Sequence, residues 1–346
     1  MTLFRFIYFA IGLALLGYVV ADAELSEVWS QASTFGFIGI AVIIALYAVE
    51  FLADVAGWQL TFSTVPLRVW WLKRLYLVRM VGEAFNVITP MASMGGEPVK
   101  VVLLKKYYGV SYADASASVL LAKTINLISL LFFLAGGFAL ILLGHRFSTD
   151  QILVAGSGLL IFFCVVISFF LVQRMRVSSR GGAWLGRWRL GARIGDYLHH
   201  IEALDDRLVG FYSRRRLRFA VALVLSLCNW LIGALGVYYT MVFLGTPVSF
   251  TDAWIIEAFA QLIRAGTFFI PASIGAQEGA FVLVCETLTG NASSGLAAAL
   301  VRRFREIVWI GGGLLLGSWF SFKPALESPP ALESKLNAPS PISKDV

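Results

Sequence analysis

The sequence predicts an all-α polytopic membrane protein with about six transmembrane helices and two re-entrant broken-helix hairpins, arranged as an inverted-topology repeat. Three observations lead to this prediction: the apolar composition, the distribution of positive charge, and two matching helix breaks. Of the 346 residues, 58% are hydrophobic and 14% are charged, and the mean hydropathy is +0.79. This composition is typical of a membrane protein and excludes a large soluble domain.

The hydrophobic residues are grouped into runs of membrane-spanning length. A hydrocarbon core of about 30 Å requires about 20 apolar residues per helix, and the runs that satisfy this are 4–21, 36–57, 113–143, 151–172, 219–244 and 293–322. The first run also imitates a secretory signal, because Ala21-Asp22-Ala23 resembles a cleavage site. Aspartate is unfavourable in such a site and the run is long enough to span, so we predict a retained transmembrane helix.

The positive charge is concentrated in one loop. Residues 173–218 carry eleven arginines against four acidic residues, within a net charge of +7. A nucleic-acid surface is the alternative, but a basic loop between hydrophobic runs is typical of the cytoplasmic side of a membrane. Both termini are then cytoplasmic, and the tail 323–346, rich in Pro and Ser, is expected to be disordered.

Residues 76–106 read as a helix that is interrupted. The break falls at Thr89-Pro90 and Gly95-Gly96, and basic pairs flank the segment at Lys73-Arg74 and Lys105-Lys106. Because basic flanks favour the cytoplasmic side, both ends are predicted on that side. A segment that enters and leaves on one side is a re-entrant hairpin.

A second interrupted segment, residues 252–288, contains Pro271. Three pairs of residues are separated by the same 181 positions: Pro90 and Pro271, Glu97 and Glu278, and Gly109 and Gly290. A constant offset predicts an internal repeat, with one half at 1–143 and the other at 144–322. The charge pattern gives the halves opposite orientations, which is the architecture of secondary transporters with broken helices at the substrate site.

Charged side chains in membrane segments are unfavourable and mark functional sites. Those in predicted membrane segments are Glu83, Glu97, Lys123, Glu257, Arg264, Glu278, Arg302, Arg303, Arg305 and Glu306. Lys123 and Asn126 share one helix face by their spacing of three, as do Arg303 and Glu306. Snorkelling of Lys123 to an interface is the alternative. Glu50, Asp54 and Lys100 are not included in the site because each falls near a predicted interface.

The first break carries a candidate anion site. Pro98 suits the first turn of a helix, so Gly95 and Gly96 would expose backbone N–H groups at a positive helix end. The alternative is that these glycines only allow the hairpin to turn. We expect Glu97 and Glu278 to pair with Lys123 and with Arg303 or Arg305 in the empty state, or to take up protons.

The sequence predicts no metal site, cofactor or catalytic group. Cys164, Cys228 and Cys285 have no C-x-x-C spacing, and the histidines fall in predicted loops. No nucleotide-binding motif is present. An ion gradient, a partner or the substrate's own gradient would therefore supply the energy for any transport.

Four motifs resemble a known family. "GEAFNVITPMASMGGEPVKVVLL", "GVSYADASASVLLAKTINL", "IPASIGAQEGAFVLV" and "ALVRRFREIVW" occur in this order. Together they resemble the lysylphosphatidylglycerol synthase transmembrane family, also called flippase-like or UPF0104 proteins, over about residues 5–320. The forms "GGE" and "QEG" with "RR-x-RE" are most similar to hopanoid-biosynthesis-associated members.

The resemblance implies a bacterial inner-membrane protein that moves a lipid between leaflets. The flippase half of multiple-peptide-resistance-factor proteins does this for aminoacylated phosphatidylglycerol. The positions that match by motif are Gly95, Gly96, Glu97, Lys123, Gln277, Glu278, Arg303, Arg305 and Glu306. Those larger proteins add a soluble domain that makes the aminoacyl lipid, and this chain has no room for one. Synthase activity is therefore not expected to carry over.

The leading hypothesis is a flippase or transporter for an aminoacylated phospholipid or a hopanoid-type lipid. One alternative is a membrane-embedded transferase that modifies lipids. Another is a non-transporting partner of lipid biosynthesis enzymes, with the loop 173–218 as its docking surface. The expected partners are membrane lipids and, under the last hypothesis, biosynthetic enzymes; nucleic acid is not among them.

Overall fold

The computed structural model of the chain describes residues 34–88, 95–174, 211 and 215–322. Over these residues the regular structure is helical throughout. Its nine α-helices are α1 (Gly36–Thr61), α2 (Val69–Ile88), α3 (Gly96–Tyr108), α4 (Tyr112–Gly144), α5 (Thr149–Arg174), α6 (Arg216–Phe243), α7 (Phe250–Gly266), α8 (Ala276–Thr289) and α9 (Ala292–Phe322). A single 3₁₀ turn, Pro271–Ser273, lies between α7 and α8.

The predicted all-α polytopic membrane fold is confirmed. Four helices in the described ranges are long and apolar enough to cross a membrane: α1, α4, α6 and the Thr149–Leu171 part of α5. The apolar side chains of α5 face outward, with Leu153, Val154, Leu160 and Ile161 between 60% and 65% exposed. A surface of this kind requires lipid around it.

Two predicted apolar runs remain, 293–322 and 4–21, and the structure describes the first of them. The run 293–322 forms α9, which has 31 residues and is about 47 Å long at 1.5 Å per residue. It carries four charged residues near its middle, between Arg302 and Glu306. The run 4–21, most of the basic loop and the tail 323–346 lie outside the described residues.

The first hairpin begins earlier than predicted. Its first helix starts at Val69 rather than at residue 76, so Lys73-Arg74 lies inside α2. Aromatic packing extends the helix, because the Arg74 guanidinium stacks over the rings of Trp70 at 4.2 Å and Tyr108 at 5.1 Å. Tyr108 is the last residue of α3. The outer ends of α2 and α3 therefore meet.

Each hairpin changes direction between its two helices. In the second, α7 ends at Gly266 and α8 begins at Ala276, with the predicted break residue Pro271 in between. Three residues of this segment have positive φ angles: Ala272 at 53°, Ser273 at 50° and Gly275 at 81°. Left-handed backbone cannot continue an α-helix, so the chain turns here. Pro90 lies outside the described residues, between α2 and α3.

The helices recur at a constant spacing along the chain. The first residues of α6, α7, α8 and α9 follow those of α1, α2, α3 and α4 by 180 or 181 positions. Gly109 and Gly290 cap the ends of α3 and α8, with φ angles of 69° and 71°. Tertiary packing follows the same correspondence: α1 packs on α6, α2 packs on α9, and α7 packs on α4. Each hairpin therefore rests on the long helix of the other half.

Candidate functional site

A polar cavity of about 300 Å³ is lined by helices from both of the predicted halves. The helices α1 to α7 and α9 all contribute to its wall, together with Ser273 of the turn between α7 and α8. Its charged lining residues are Glu50, Asp54, Arg79, Glu83, Glu97, Lys100, Lys123, Arg264, Arg302, Arg305 and Glu306. Charged groups from different helices thus converge within the apolar helix bundle.

The first hairpin supplies one group of ion pairs. Glu97, in the first turn of α3, lies 2.9 Å from Lys100 Nζ and 3.5 Å from Lys123 Nζ of α4. Arg79 of α2 lies 2.6 Å from Asp54 of α1. These contacts tie the hairpin to α1 and α4 across the cavity. The predicted pairing of Glu97 with Lys123 is present.

The second hairpin supplies a matching pair. Glu278, in the first turn of α8, accepts a hydrogen bond of 2.5 Å from Arg303 Nε of α9. Arg303 Nη1 also donates to Glu306 at 2.8 Å. The expected pairing of Glu278 with Arg303 is therefore present, and Arg303 and Glu306 share one helix face as their spacing predicts.

A third ion pair is the most enclosed of the group. Arg302 Nη1 donates to Glu257 Oε2 at 2.6 Å, and their side chains are 9% and 3% exposed. Gln261 Nε2 donates to the other oxygen of Glu257 at 2.7 Å. Both carboxylate oxygens of Glu257 thus have a donor, and these hydrogen bonds offset part of the desolvation cost of burying the pair.

Arg305 and Arg264 are held less tightly. Arg305 Nη1 lies 3.8 Å from Glu50 Oε2, and its guanidinium stacks at 4.0 Å over the Tyr47 ring. Arg264 lines the cavity, and no residue in the described part of the chain forms an ion pair or hydrogen bond with it. Arg305 Nε and Arg303 Nη2 are buried without a hydrogen-bond acceptor there. Cationic donors are thus available at the cavity.

The backbone at the hairpin tips is occupied by the protein itself. Gly96 N–H donates to Asn86 Oδ1 at 2.8 Å, and Gly275 N–H donates to Glu278 Oε2 at 2.7 Å. A Cβ on Gly96 would lie 1.8 Å from the carbonyl oxygen of Gly82. The expected anion site on the Gly96 N–H is therefore filled by Asn86 in this structure, and Gly96 serves the close approach of α2 and α3.

The sequence profile of the family described as "Lysylphosphatidylglycerol synthase TM region" matches residues 5–311. The chain belongs to the lysylphosphatidylglycerol synthase transmembrane-region family. A UPF0104 membrane protein of Methanothermobacter thermautotrophicus is 26% identical over 273 residues, which cover 76% of this chain and 77% of the relative. A UPF0104 membrane protein of Pyrococcus horikoshii is 23% identical over 252 residues, covering 69% and 74%. No solved structure matches the chain.

Most of the predicted site residues of this family member lie at the cavity. Its wall includes Glu97, Lys123, Asn126, Arg264, Arg305 and Glu306. Arg303 and Glu278 adjoin it through Glu306, while Gly95, Gly96 and Gln277 are not part of the wall. Gln277 is 2% exposed, and neither its Nε2 nor its Oε1 has a hydrogen-bond partner in the described ranges.

Four charged lining residues of the family member were not predicted as part of the site. Glu50, Asp54 and Lys100 fall near predicted interfaces in the sequence, and the sequence pattern does not single out Arg79. A signal was present, because Glu50 and Asp54 are four residues apart in an otherwise apolar helix and therefore share a face. Glu50 and Asp54 lie further from the helix end than the sequence indicates, because α1 continues to Thr61, four residues past the apolar run 36–57.

Apolar side chains also line the family member's cavity. Leu127 and Leu130 of α4, Phe162 of α5 and Phe268 after α7 all line it. Phe268 is 60% exposed, so this apolar lining continues onto the outer surface.

Among the residues that the structure describes, no group of three His, Cys, Asp or Glu side chains is arranged to hold a metal ion.

Proposed function

We propose that this membrane protein moves a lipid with a polar or anionic headgroup between the leaflets of a bacterial inner membrane. The headgroup occupies the charged cavity while the acyl chains remain in the bilayer. One observation carries this proposal: a cavity lined by charges from both halves also has an apolar wall that reaches the exposed Phe268. The substrate class includes aminoacylated phospholipids and hopanoid-type lipids, as the family resemblance implies.

The size of the cavity favours a headgroup over a whole lipid. Small-molecule sites in proteins span about 300–1,000 Å³, and this cavity of about 300 Å³ is at the lower end. Acyl chains do not need to enter, because hydrocarbon gains little from moving out of lipid. The apolar wall formed by Leu127, Phe162 and Phe268 offers the chains a path beside the cavity.

The free cationic donors favour an anionic group in the headgroup. A phosphate accepts hydrogen bonds from several guanidinium groups at once. Arg264 lines the cavity and is unpaired in the described ranges, and Arg305 has one distant carboxylate at 3.8 Å. An oxyanion between these two side chains would satisfy both.

The recurrent helix spacing supports transport by exchange between two conformations. In inverted repeats, each half can adopt the arrangement of the other, which opens a central site to alternate sides. The offset of 180 or 181 residues and the reciprocal packing of the hairpins fit such a pair of halves. The arginine-rich residues 173–218 favour a cytoplasmic loop, with both termini on the same side.

Arg264 gives the cleanest test of the proposal. Arg264→Ala is expected to slow leaflet exchange of a labelled anionic lipid by about 10- to 100-fold, because a charge-assisted hydrogen bond contributes about 1.5–3 kcal/mol. No carboxylate in the described ranges loses a partner, so the fold should be unaffected. The measurement is exchange of labelled phosphatidylglycerol, its lysyl form and a polyhydroxylated hopanoid in liposomes holding the purified protein.

Arg216→Ala is the matched control, since Arg216 is exposed at the start of α6 and outside the cavity lining. It should exchange lipid at the wild-type rate. Exchange by wild type no faster than in empty liposomes, for every lipid, would overturn the transport proposal. A lipid product of altered mass after incubation with a lipid donor would then favour the transferase. Failure of lipid biosynthesis only when the loop 173–218 is deleted would favour the non-transporting partner.

A further inference from the structure

Glu50 differs from the other carboxylates around the cavity. It lies in the middle of α1 with its side chain 17% exposed, and Arg305 at 3.8 Å is its ion-pair partner. Six other carboxylates belong to the cluster: Asp54, Glu83, Glu97, Glu257, Glu278 and Glu306. Within the described residues, each of these six carboxylates accepts a hydrogen bond or has an ion pair shorter than the 3.8 Å of Glu50. Glu50 accepts no hydrogen bond there, and its one ion pair is the long one with Arg305.

A second carboxylate lies beside Glu50 on the same face of α6. A Cβ on Gly233 would lie 3.7 Å from Oε1 of Glu50 and 3.7 Å from Oε1 of Glu257. Both oxygens thus adjoin one small glycine surface, and two negative charges so placed disfavour each other. The charged or titratable groups that line the cavity or pair beside Glu50 are Tyr47 and Asp54 on α1, Arg79 and Glu83 on α2, Glu97 and Lys100 on α3, Lys123 on α4, Glu257 and Arg264 on α7, and Arg302, Arg305 and Glu306 on α9.

The cluster is electrically balanced when it is empty. Its seven carboxylates are matched by seven cations, namely Arg79, Lys100, Lys123, Arg264, Arg302, Arg303 and Arg305. An anionic headgroup adds one negative charge, and an uncompensated charge in a low-dielectric region is unfavourable. One proton on a carboxylate restores the balance. Glu50 loses the weakest interaction when it accepts this proton, because its one ion pair is 3.8 Å long.

We propose that Glu50 binds a proton when an anionic headgroup enters the cavity, so that lipid and proton move together. This inference rests on the proposed function. The proton comes from water and joins one carboxylate oxygen of Glu50, and it returns to water when the headgroup leaves. Protonation also releases Arg305 from its one ion-pair partner in the described ranges. Arg305 and Arg264 then bind the same oxyanion.

The pH dependence of exchange tests the inference. Wild-type exchange of labelled phosphatidylglycerol should accelerate as the pH falls, by up to about tenfold per pH unit for one linked proton. Glu50→Gln mimics the protonated side chain, so its exchange should persist and show no pH dependence. Glu286→Gln is the matched control, since Glu286 is exposed on α8; its pH profile should follow wild type. A wild-type slope retained in Glu50→Gln would overturn the inference.

An infrared measurement separates this inference from the transport proposal. The full-length protein in phosphatidylcholine nanodiscs should gain the C=O band of a protonated carboxyl group when phosphatidylglycerol is added. The band should be absent in Glu50→Gln and present in Glu286→Gln. The band without leaflet exchange would support the proton site and overturn transport. Exchange without the band would overturn the proton site and leave transport standing.

Discussion

Arg302→Ala is expected to destabilise the folded protein by about 3–5 kcal/mol, the usual cost of removing one partner of a buried ion pair. Arg302 and Glu257 are 9% and 3% exposed, and their charged groups are 2.6 Å apart. Without the guanidinium, Glu257 keeps one hydrogen bond, from Gln261. Its negative charge is then left without its closest cation in the interior of the bundle. Thermal unfolding of the purified protein in detergent or nanodiscs measures the effect.

The double variant Arg302→Gln with Glu257→Gln tells whether the loss comes from the unpaired charge. Both side chains remain polar and similar in shape, so most of the stability should return. Arg146→Ala is the control for removing an arginine from an ion pair. Arg146 pairs with Asp252 but is 45% exposed, and exposed pairs contribute about 0.2–1 kcal/mol. Equal losses in Arg302→Ala and Arg146→Ala would contradict the closed environment assigned to Arg302.

If the protein moves lipid as proposed, the stability of this pair bears on transport as well as on folding. Arg302 lies beside Arg303 and Arg305, whose partners come from the second hairpin and from α1. α9 therefore connects both halves through neighbouring cations that contact different elements. Under the proposed transport, a rearrangement of the two predicted halves would have to exchange these contacts. The ion pair of Arg302 with Glu257 is the most enclosed of them, so we expect it to persist.

Hydropathy and residue spacing predicted much of the fold for physical reasons. Apolar runs must reach the length of a bilayer, so α1, α4, α5 and α6 coincide closely with the predicted runs. The helix starts likewise recur at an offset of 180 or 181 residues. The start of α2 was missed in part because Arg74 also stacks on the Tyr108 ring of α3, and such a tertiary contact leaves no local pattern.

The site was predictable where charges share one helix face or are matched through the predicted repeat, and less so where other helices cross. Lys123 and Arg303 could be matched with Glu97 and Glu278 because the repeat relates the two pairs. The link between Arg79 and Asp54, 2.6 Å apart, joins α1 to α2, and spacing along the chain does not indicate it. The role of Asn86 as acceptor for the Gly96 N–H is of the same kind. These contacts depend on how helices cross.

Gly96→Ala is expected to separate the two helices of the first hairpin and to reduce lipid exchange at least tenfold. The added Cβ would lie 1.8 Å from the carbonyl oxygen of Gly82 and 2.6 Å from its carbonyl carbon. Both atoms belong to the backbone of α2, so no side-chain rotation relieves the clash. Inserting a methyl group into such a contact costs about 1–3 kcal/mol, and occasionally more.

The displacement matters because α3 carries charges that line the cavity. Glu97 follows Gly96 directly, and Lys100 lies one turn later with its stem against Gly82, where a Cβ would be 2.5 Å from Lys100 Cε. A shift of α3 therefore moves Glu97 away from Lys123, which it meets at 3.5 Å. Misplacing such groups by about 1 Å is enough to lose much of their contribution.

Gly311→Ala is the matched control for this substitution. Gly311 is inside α9, and a Cβ added there would meet no atom within 4 Å. Alanine should instead stabilise the helix by about 0.5–1 kcal/mol, because glycine loses more backbone entropy on folding. Leaflet exchange and thermal unfolding of both variants, measured in one preparation, compare the two sites. Wild-type exchange by Gly96→Ala would mean that α2 and α3 are not in close contact during transport. The cavity charges on α3 would then have to reach the substrate from another arrangement of the hairpin.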